Sequence, residues 1–219
     1  MERIDDAFTC PFRDPDWLSK VVIMGLILLI PIVGAIDGLG WMLVAIDRLR
    51  AGEEKLPPAN FDYLGRGVVL FVVFLVYYLG LALVAALLFV PAVVALSIQG
   101  NGSGNALLIL IGFTLLSLAF AVALLGVLAI IFATPAIVLA TDRGGVAAGL
   151  DLGGVLRNAR KTPINTLIAG LMLIAAHFIG QLGSYACFIG VVFTLPYSLA
   201  MQAWIIRSYE LGSTAPAKT

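Results

Sequence analysis

The sequence predicts an all-α fold: a polytopic transmembrane helical bundle of about six membrane helical segments, with one more, amphipathic helix on the cytoplasmic surface. Three observations predict it. Of the 219 residues, 61% are apolar and 12% charged, with a mean hydropathy of +1.07, whereas about a quarter of a soluble domain is charged. No Asp, Glu, Lys or Arg occurs between Arg66 and Asp142, or between Lys161 and Arg207, and both gaps are bilayer-sized or longer. The apolar runs do not alternate with polar residues, which excludes a membrane barrel, so a backbone in hydrocarbon must satisfy its hydrogen bonds as helix.

Residues 1–16 carry Glu2, Arg3, Asp5, Asp6, Arg13, Asp14 and Asp16. This is not the basic lead of a cleavable signal, so the first apolar stretch is expected to be retained. That stretch, Leu18 to Ile46, is interrupted by PIVGAIDGLG, residues 31–40. It is one kinked span or two short arms. Two full crossings would bring each arm near the lower limit of about 17 residues, so a shallow or re-entrant hairpin is expected. Residues 51–66 should form a structured loop, because Pro57 and Pro58 forbid an ordinary helix.

The second and third stretches, Gly67 to Ile98 and Ala106 to Ala140, predict a helical hairpin turning at Ser97–Asn105, with Pro91 and Pro135 as kinks or exits. Between Gly144 and Lys161, Ala148, Leu152, Val155 and Ala159 recur at helical spacing, with Asp151, Arg157, Asn158 and Lys161 elsewhere around the wheel. This is the amphipathic helix, weakened by Gly144, Gly145, Gly149, Gly153 and Gly154. The last stretch, Ile164 to Ile206, is long enough for two spans, with its break expected at Gly180–Ser184. Residues 1–210 are read as a single transmembrane domain and residues 211–219 as a disordered tail.

Positive charge sets the expected orientation. Arg48, Arg50, Lys55 and Arg66 flank one loop, and Arg143, Arg157, Arg160 and Lys161 crowd another. Both loops, and both termini, are therefore expected to be cytoplasmic. Zero net charge without a basic block excludes nucleic acid as a partner. Membrane lipids, a protein partner or further copies of the chain remain, with Arg157, Arg160 and Lys161 as the expected headgroup contacts.

Chemistry-bearing residues are few. Asp37 lies inside the first stretch, where a carboxylate must be paired, hydrated or protonated. It is an ion or proton site, a helix cap near the external interface, or part of a solvated turn. His177 and Gln181 share a helix face and suggest either a hydrogen-bonded pair on a neighbouring helix or a relay with Asp37. Metal-ligand spacing and a nucleophile with its base are both missing from the pattern, and Cys10 and Cys187 read as ordinary thiols. No cofactor or catalytic residue is expected. Gly34 with Gly38, and Gly180 with Ser184, are small-residue pairs suited to close helix packing. Trp17, Trp41, Trp204, Tyr63, Tyr185 and Tyr209 read as interfacial anchors. Asn101–Ser103 spells a glycosylation sequon in a turn too short to favour its use.

FRDPDWLSK before the first span, LIPIVGAIDGLGWMLVAIDRLRAGEEKLP, FDYLGRG opening the second span, NARKTPINTLIAG and LPYSLAMQAWIIRSYELG together resemble the family catalogued as domain of unknown function 4013. The resemblance covers nearly the whole chain on loose motifs. It implies a bacterial or archaeal polytopic membrane protein and carries over no catalytic residue. The sequence thus points to a non-enzymatic structural subunit or scaffold in a prokaryotic plasma membrane. The alternative is a small transporter or channel with Asp37, His177 and Gln181 along a polar path.

Overall fold

A computed structural model describes residues 5–98, 105–185 and 190–214. Helix is the only regular structure among them. The order is α1 (Asp5–Thr9), a 3-10 turn (Cys10–Arg13), α2 (Trp17–Leu28), α3 (Val33–Arg50), α4 (Leu64–Ser97), α5 (Ala106–Leu150), α6 (Leu152–Lys161), α7 (Pro163–Tyr185) and α8 (Val191–Thr214). The six expected membrane segments are α2, α3, α4, α5, α7 and α8. Of these, α4, α5 and α7 are long and apolar enough to cross a membrane. The chain divides into two compact units, Phe74–Ile130 and the remainder.

The smaller unit is a two-helix hairpin. Its arms run antiparallel, since Gly112 abuts Leu96 near one end and Gly126 abuts Leu81 near the other. Leu87, Leu110, Phe120, Leu124 and Leu125 are exposed on it, as suits helices surrounded by hydrocarbon rather than water. The Ser97–Asn105 turn and its sequon fall largely on residues 99–104, outside the described set, and so does Cys187. Pro91 and Pro135 end nothing, because α4 and α5 continue through them.

In the larger unit α8 packs against α2, α3 and α7, and α1 also touches it. It returns antiparallel beside α7. The Ser198 hydroxyl donates to the Ala176 carbonyl at 2.7 Å and Thr194 to Gly180 at 2.9 Å, while Thr166 meets Tyr209 at 3.5 Å nearer the other end. The first stretch is a hairpin, as expected. Its turn is centred on Ile32, whose φ of 64° and Val33 N–H bond to the Pro31 carbonyl at 2.7 Å make a γ-turn, a strained geometry for a β-branched residue. The arms α2 and α3 hold 12 and 18 residues, about 18 and 27 Å of helix, short of a hydrocarbon core of about 30 Å.

Small residues let these helices meet at backbone distance. A Cβ on Gly34 would lie 2.1 Å from the Ile27 carbonyl oxygen, and one on Gly38 would strike Leu28. This Gly34/Gly38 pair therefore serves packing inside one chain. Helices α2 and α8 meet at backbone distance at Gly25, where a Cβ would stand 1.9 Å from the Val192 carbonyl oxygen. Backbone cannot yield as a side chain can, so Gly25→Ala should cost about 2 kcal/mol. Gly65→Ala, with open space around it, should cost little; unfolding by SDS titration in mixed micelles measures both.

Four expectations require correction. Helix α7 runs through Gly180–Ser184 to Tyr185, so the break lies later; Gly180 packs on Ser198 and Gly183 on Gly190 and Thr194, while Ser184 is exposed. Residues 144–150 belong to α5 beyond a kink at Gly145, whose φ of 68° favours glycine, and the amphipathic helix starts only at Leu152. Helix α8 takes in the first residues of the expected tail, 211–214, and residues 215–219 are outside the described set. Trp41 and Tyr209 are not interfacial anchors, for both are buried. Trp41 packs with Val21, Met24, Ile27, Leu56 and Ala200, and its indole N–H donates to the Pro57 carbonyl at 3.2 Å.

Candidate functional site

Three polar assemblies stand out in the larger unit, and each arises from a local sequence feature. The first is Asp37. Gly34 and Gly38 face α2 and its neighbour α8, whereas Gly40 lies on the side of α3 into which the start of α4 presses. A Cβ on Gly67 would lie 1.8 Å from the Ile36 carbonyl oxygen, and one on Gly40 2.1 Å from that of Tyr63. Asp37 is fully buried at this crossing. Its Oδ1 accepts the Tyr63 N–H at 3.2 Å, and its Oδ2 has no hydrogen-bond partner among the described residues. Asp37 thus caps the approach to α4 rather than its own helix arm, because the chain returns to it 26 residues later.

Among the described residues no hydrogen bond joins His177 or Gln181 to Asp37 or to each other, although the two lie one turn apart on α7. Both are exposed, and the His177 Nδ1 bonds to the Leu173 carbonyl of its own helix at 2.7 Å. Among the described residues no group of three His, Cys, Asp or Glu could hold a metal ion. Burial pushes the Cys10 thiol up to about 11, which disfavours the reactive thiolate.

The second assembly ties the segment before α2 to the loop after α3. Asp14 is buried and accepts from the Lys20 amine at 2.6 Å, the Leu56 N–H at 2.8 Å and the Asp16 N–H at 2.9 Å. Burial raises its carboxyl, but these bonds win and hold it below the usual carboxylate range. Lys20 and Arg48 both donate to the Leu56 carbonyl at 3.0 Å, and the Tyr63 hydroxyl donates to Pro58 at 2.8 Å. The Asp14-Pro15-Asp16-Trp17 and Leu56-Pro57 motifs therefore meet in space.

The third is an ion-pair clasp across α3, α4, α5 and α8. Arg50 grips Glu210 with two nitrogens at 3.0 and 3.1 Å and reaches Asp142 at 2.7 Å and Asp47 at 2.8 Å. Arg66 joins Asp142 at 2.7 Å and also pairs with Asp47. Arg143 and Arg207 reach Glu210 at 2.7 and 2.8 Å. Burial raises the Glu210 carboxyl, and its hydrogen bonds with Arg50, Arg143 and Arg207 outweigh that, holding it down to about 2. Sequence reasoning missed this clasp. A signal existed, because Arg66, Asp142 and Arg207 bound the two charge-free reaches, the places where helices leave an apolar medium together.

Helix α6 behaves differently. Val155 is its buried residue, whereas Leu152 and Leu156, one turn apart, are exposed. Arg157, Arg160 and Lys161 are exposed as well. Beside its last turn lies a cavity of about 390 Å³, rimmed by Arg143, Asn158, Lys161, Tyr209 and Ser213 over a floor that includes Leu139. A second, more open hollow touches Arg157, Arg160 and Lys161.

Long apolar helices joined at a charge-paired polar end define a polytopic helical membrane protein. The chain belongs to the family described as Protein of unknown function (DUF4013), whose model matches residues 23–197. The matched range leaves out Asp14–Trp17 and Arg207–Glu210, although both assemblies they build also need residues inside it. No curated protein and no solved structure matches the chain.

Proposed function

We propose that this chain is a non-enzymatic structural subunit or scaffold of a prokaryotic plasma membrane, with both termini cytoplasmic, that associates with itself or with partner proteins. One observation carries the reading: polar groups among the apolar helices are spent on joining helices. Asp37 caps α4 in a glycine-lined crossing, and the clasp joins four helices. His177 bonds only to its own helix. None of the cavities at the α5–α6–α8 end is lined by Asp37, His177 or Gln181. The α6 surface is left for contact with something outside the chain.

Purification in a mild detergent, with mass measured by light scattering, should return a homo-oligomer or a complex with another protein. A detergent-bound monomer alone counts against the reading. The transport alternative keeps one supporting observation, the unpartnered Oδ2 of Asp37, since a buried carboxylate oxygen without a hydrogen bond is costly. Under the scaffold reading Asp37→Asn shifts stability by about 1 kcal/mol, the scale of a helix cap, and liposomes show no flux for it to abolish. A proton or cation flux lost on Asp37→Asn would instead establish the alternative.

A further inference from the structure

We infer that the last turn of α6 and the adjoining cavity form a binding site for the headgroup of an anionic phospholipid. The inference does not depend on the scaffold reading. Most described cations are matched to acids: Arg13 to Asp6 and Glu54, Lys20 to Asp14, and Arg50, Arg66, Arg143 and Arg207 to the clasp. On α6, Arg157, Arg160 and Lys161 follow one another within five positions and have no acidic partner among the described residues. Three uncompensated cations on one short helix repel one another, and that arrangement is relieved by an external anion.

Two features name the anion's carrier. Lys161 lines the cavity together with Arg143, Asn158 and Tyr209, residue types whose ammonium, guanidinium, amide and phenol groups donate to phosphate oxygens, while the Ser213 hydroxyl in the same lining donates to the Glu210 carbonyl at 2.8 Å. Arg143 is 62% exposed and commits one nitrogen to Glu210. Leu152 and Leu156, 66% and 50% exposed on the same helix, would gain nothing from a soluble phosphate. Against a bilayer they enter the acyl boundary while the basic residues stay among the headgroups, the arrangement of an interfacial helix. An acidic protein surface would satisfy the charges and leave the leucines in water.

The test uses the full-length protein in a neutral detergent, titrated with phosphatidylglycerol, phosphatidylcholine, inorganic phosphate or polyglutamate, with the thermal midpoint as readout. Phosphatidylglycerol should raise the midpoint with a saturable dependence that the other three lack. The variants R157Q, R160Q and K161Q should each weaken that titration about five-fold, the worth of one basic residue near an anionic leaflet. L152S/L156S should weaken it with all charges present. An equal response to phosphatidylcholine overturns the inference, as does protection by inorganic phosphate or polyglutamate, or a variant titration identical to wild type. Should a variant fold poorly without lipid, wild-type protein at an ionic strength of about 1 M, where screening acts within ~3 Å, decides the matter. Loss of the phosphatidylglycerol preference supports the site, and persistence overturns it.

Discussion

Trp41→Ala is expected to remove about 4 kcal/mol of stability, the range for deleting a buried aromatic side chain. Trp41 is fully buried among residues of α2, the loop after α3 and α8. Truncation opens a cavity at the meeting point of three segments whose backbones are already fixed by glycine crossings at Gly25, Gly34 and Gly40, so little collapse can fill it. It also leaves the Pro57 carbonyl without the indole N–H. Trp41→Phe keeps most of the volume and should cost less than half as much. SDS-induced unfolding in mixed micelles distinguishes the two. Equal losses would mean that the indole's size and hydrogen bond do not hold this junction.

Glu210→Gln should cost about 3 kcal/mol, at the lower edge for breaking a buried pair by removing one partner. Glu210 is 9% exposed and Arg50 26%, so Arg50 would keep Asp47 and Asp142 but lose its two-nitrogen grip. The same carboxylate sets a pH dependence. Its folded value of about 2 lies below the ordinary 4.5. The stabilisation is therefore complete above pH 4.5, declines as pH falls below it, and is gone below about 2. The amount at stake is on the order of 3 kcal/mol by linkage. Unfolding titrations across that interval should fall steeply for wild type and more gently for Glu210→Gln. Parallel curves would show that the clasp does not set acid sensitivity. Arg50→Met with Glu210→Leu should recover much of the loss at neutral pH, because an apolar pair avoids the desolvation cost.

Charge-free length was enough to read the membrane helices, because hydrocarbon enforces helix on any apolar run. The first hairpin was legible from Pro31 and the glycines that follow. Helix ends were less legible. The expected break at Gly180–Ser184 failed because a glycine inside an apolar helix serves packing as readily as termination, and Gly180 and Gly183 face α8. Tryptophan position misled for a related reason: Trp41 is close to a basic loop in sequence, yet α3 carries it into the interior, where Pro57 supplies an acceptor. Of the candidate site residues, Asp37 was rightly singled out as buried and polar. Its partner, the Tyr63 backbone, leaves no side-chain pattern to detect. Arg50, Arg66 and Arg143 read as loop charges in the sequence, and their acidic partners Asp142 and Glu210 do not enter, since a positive-inside tally records the side of the membrane and not who pairs with whom.

The position of α8 has a consequence for biogenesis. Helix α8 is synthesised well after α1, α2 and α3, against which it seats: Val192 meets Gly25, the Tyr197 hydroxyl bonds to the Phe8 carbonyl at 2.6 Å, and Glu210 completes the pairing of Arg50. Until α8 is made, the nascent α2–α3 hairpin has no lid over Gly25 and Arg50 lacks one of its counter-ions. Maturation of this unit is therefore a closing step that waits for α8, and α2, α3 and α8 act as a single latch.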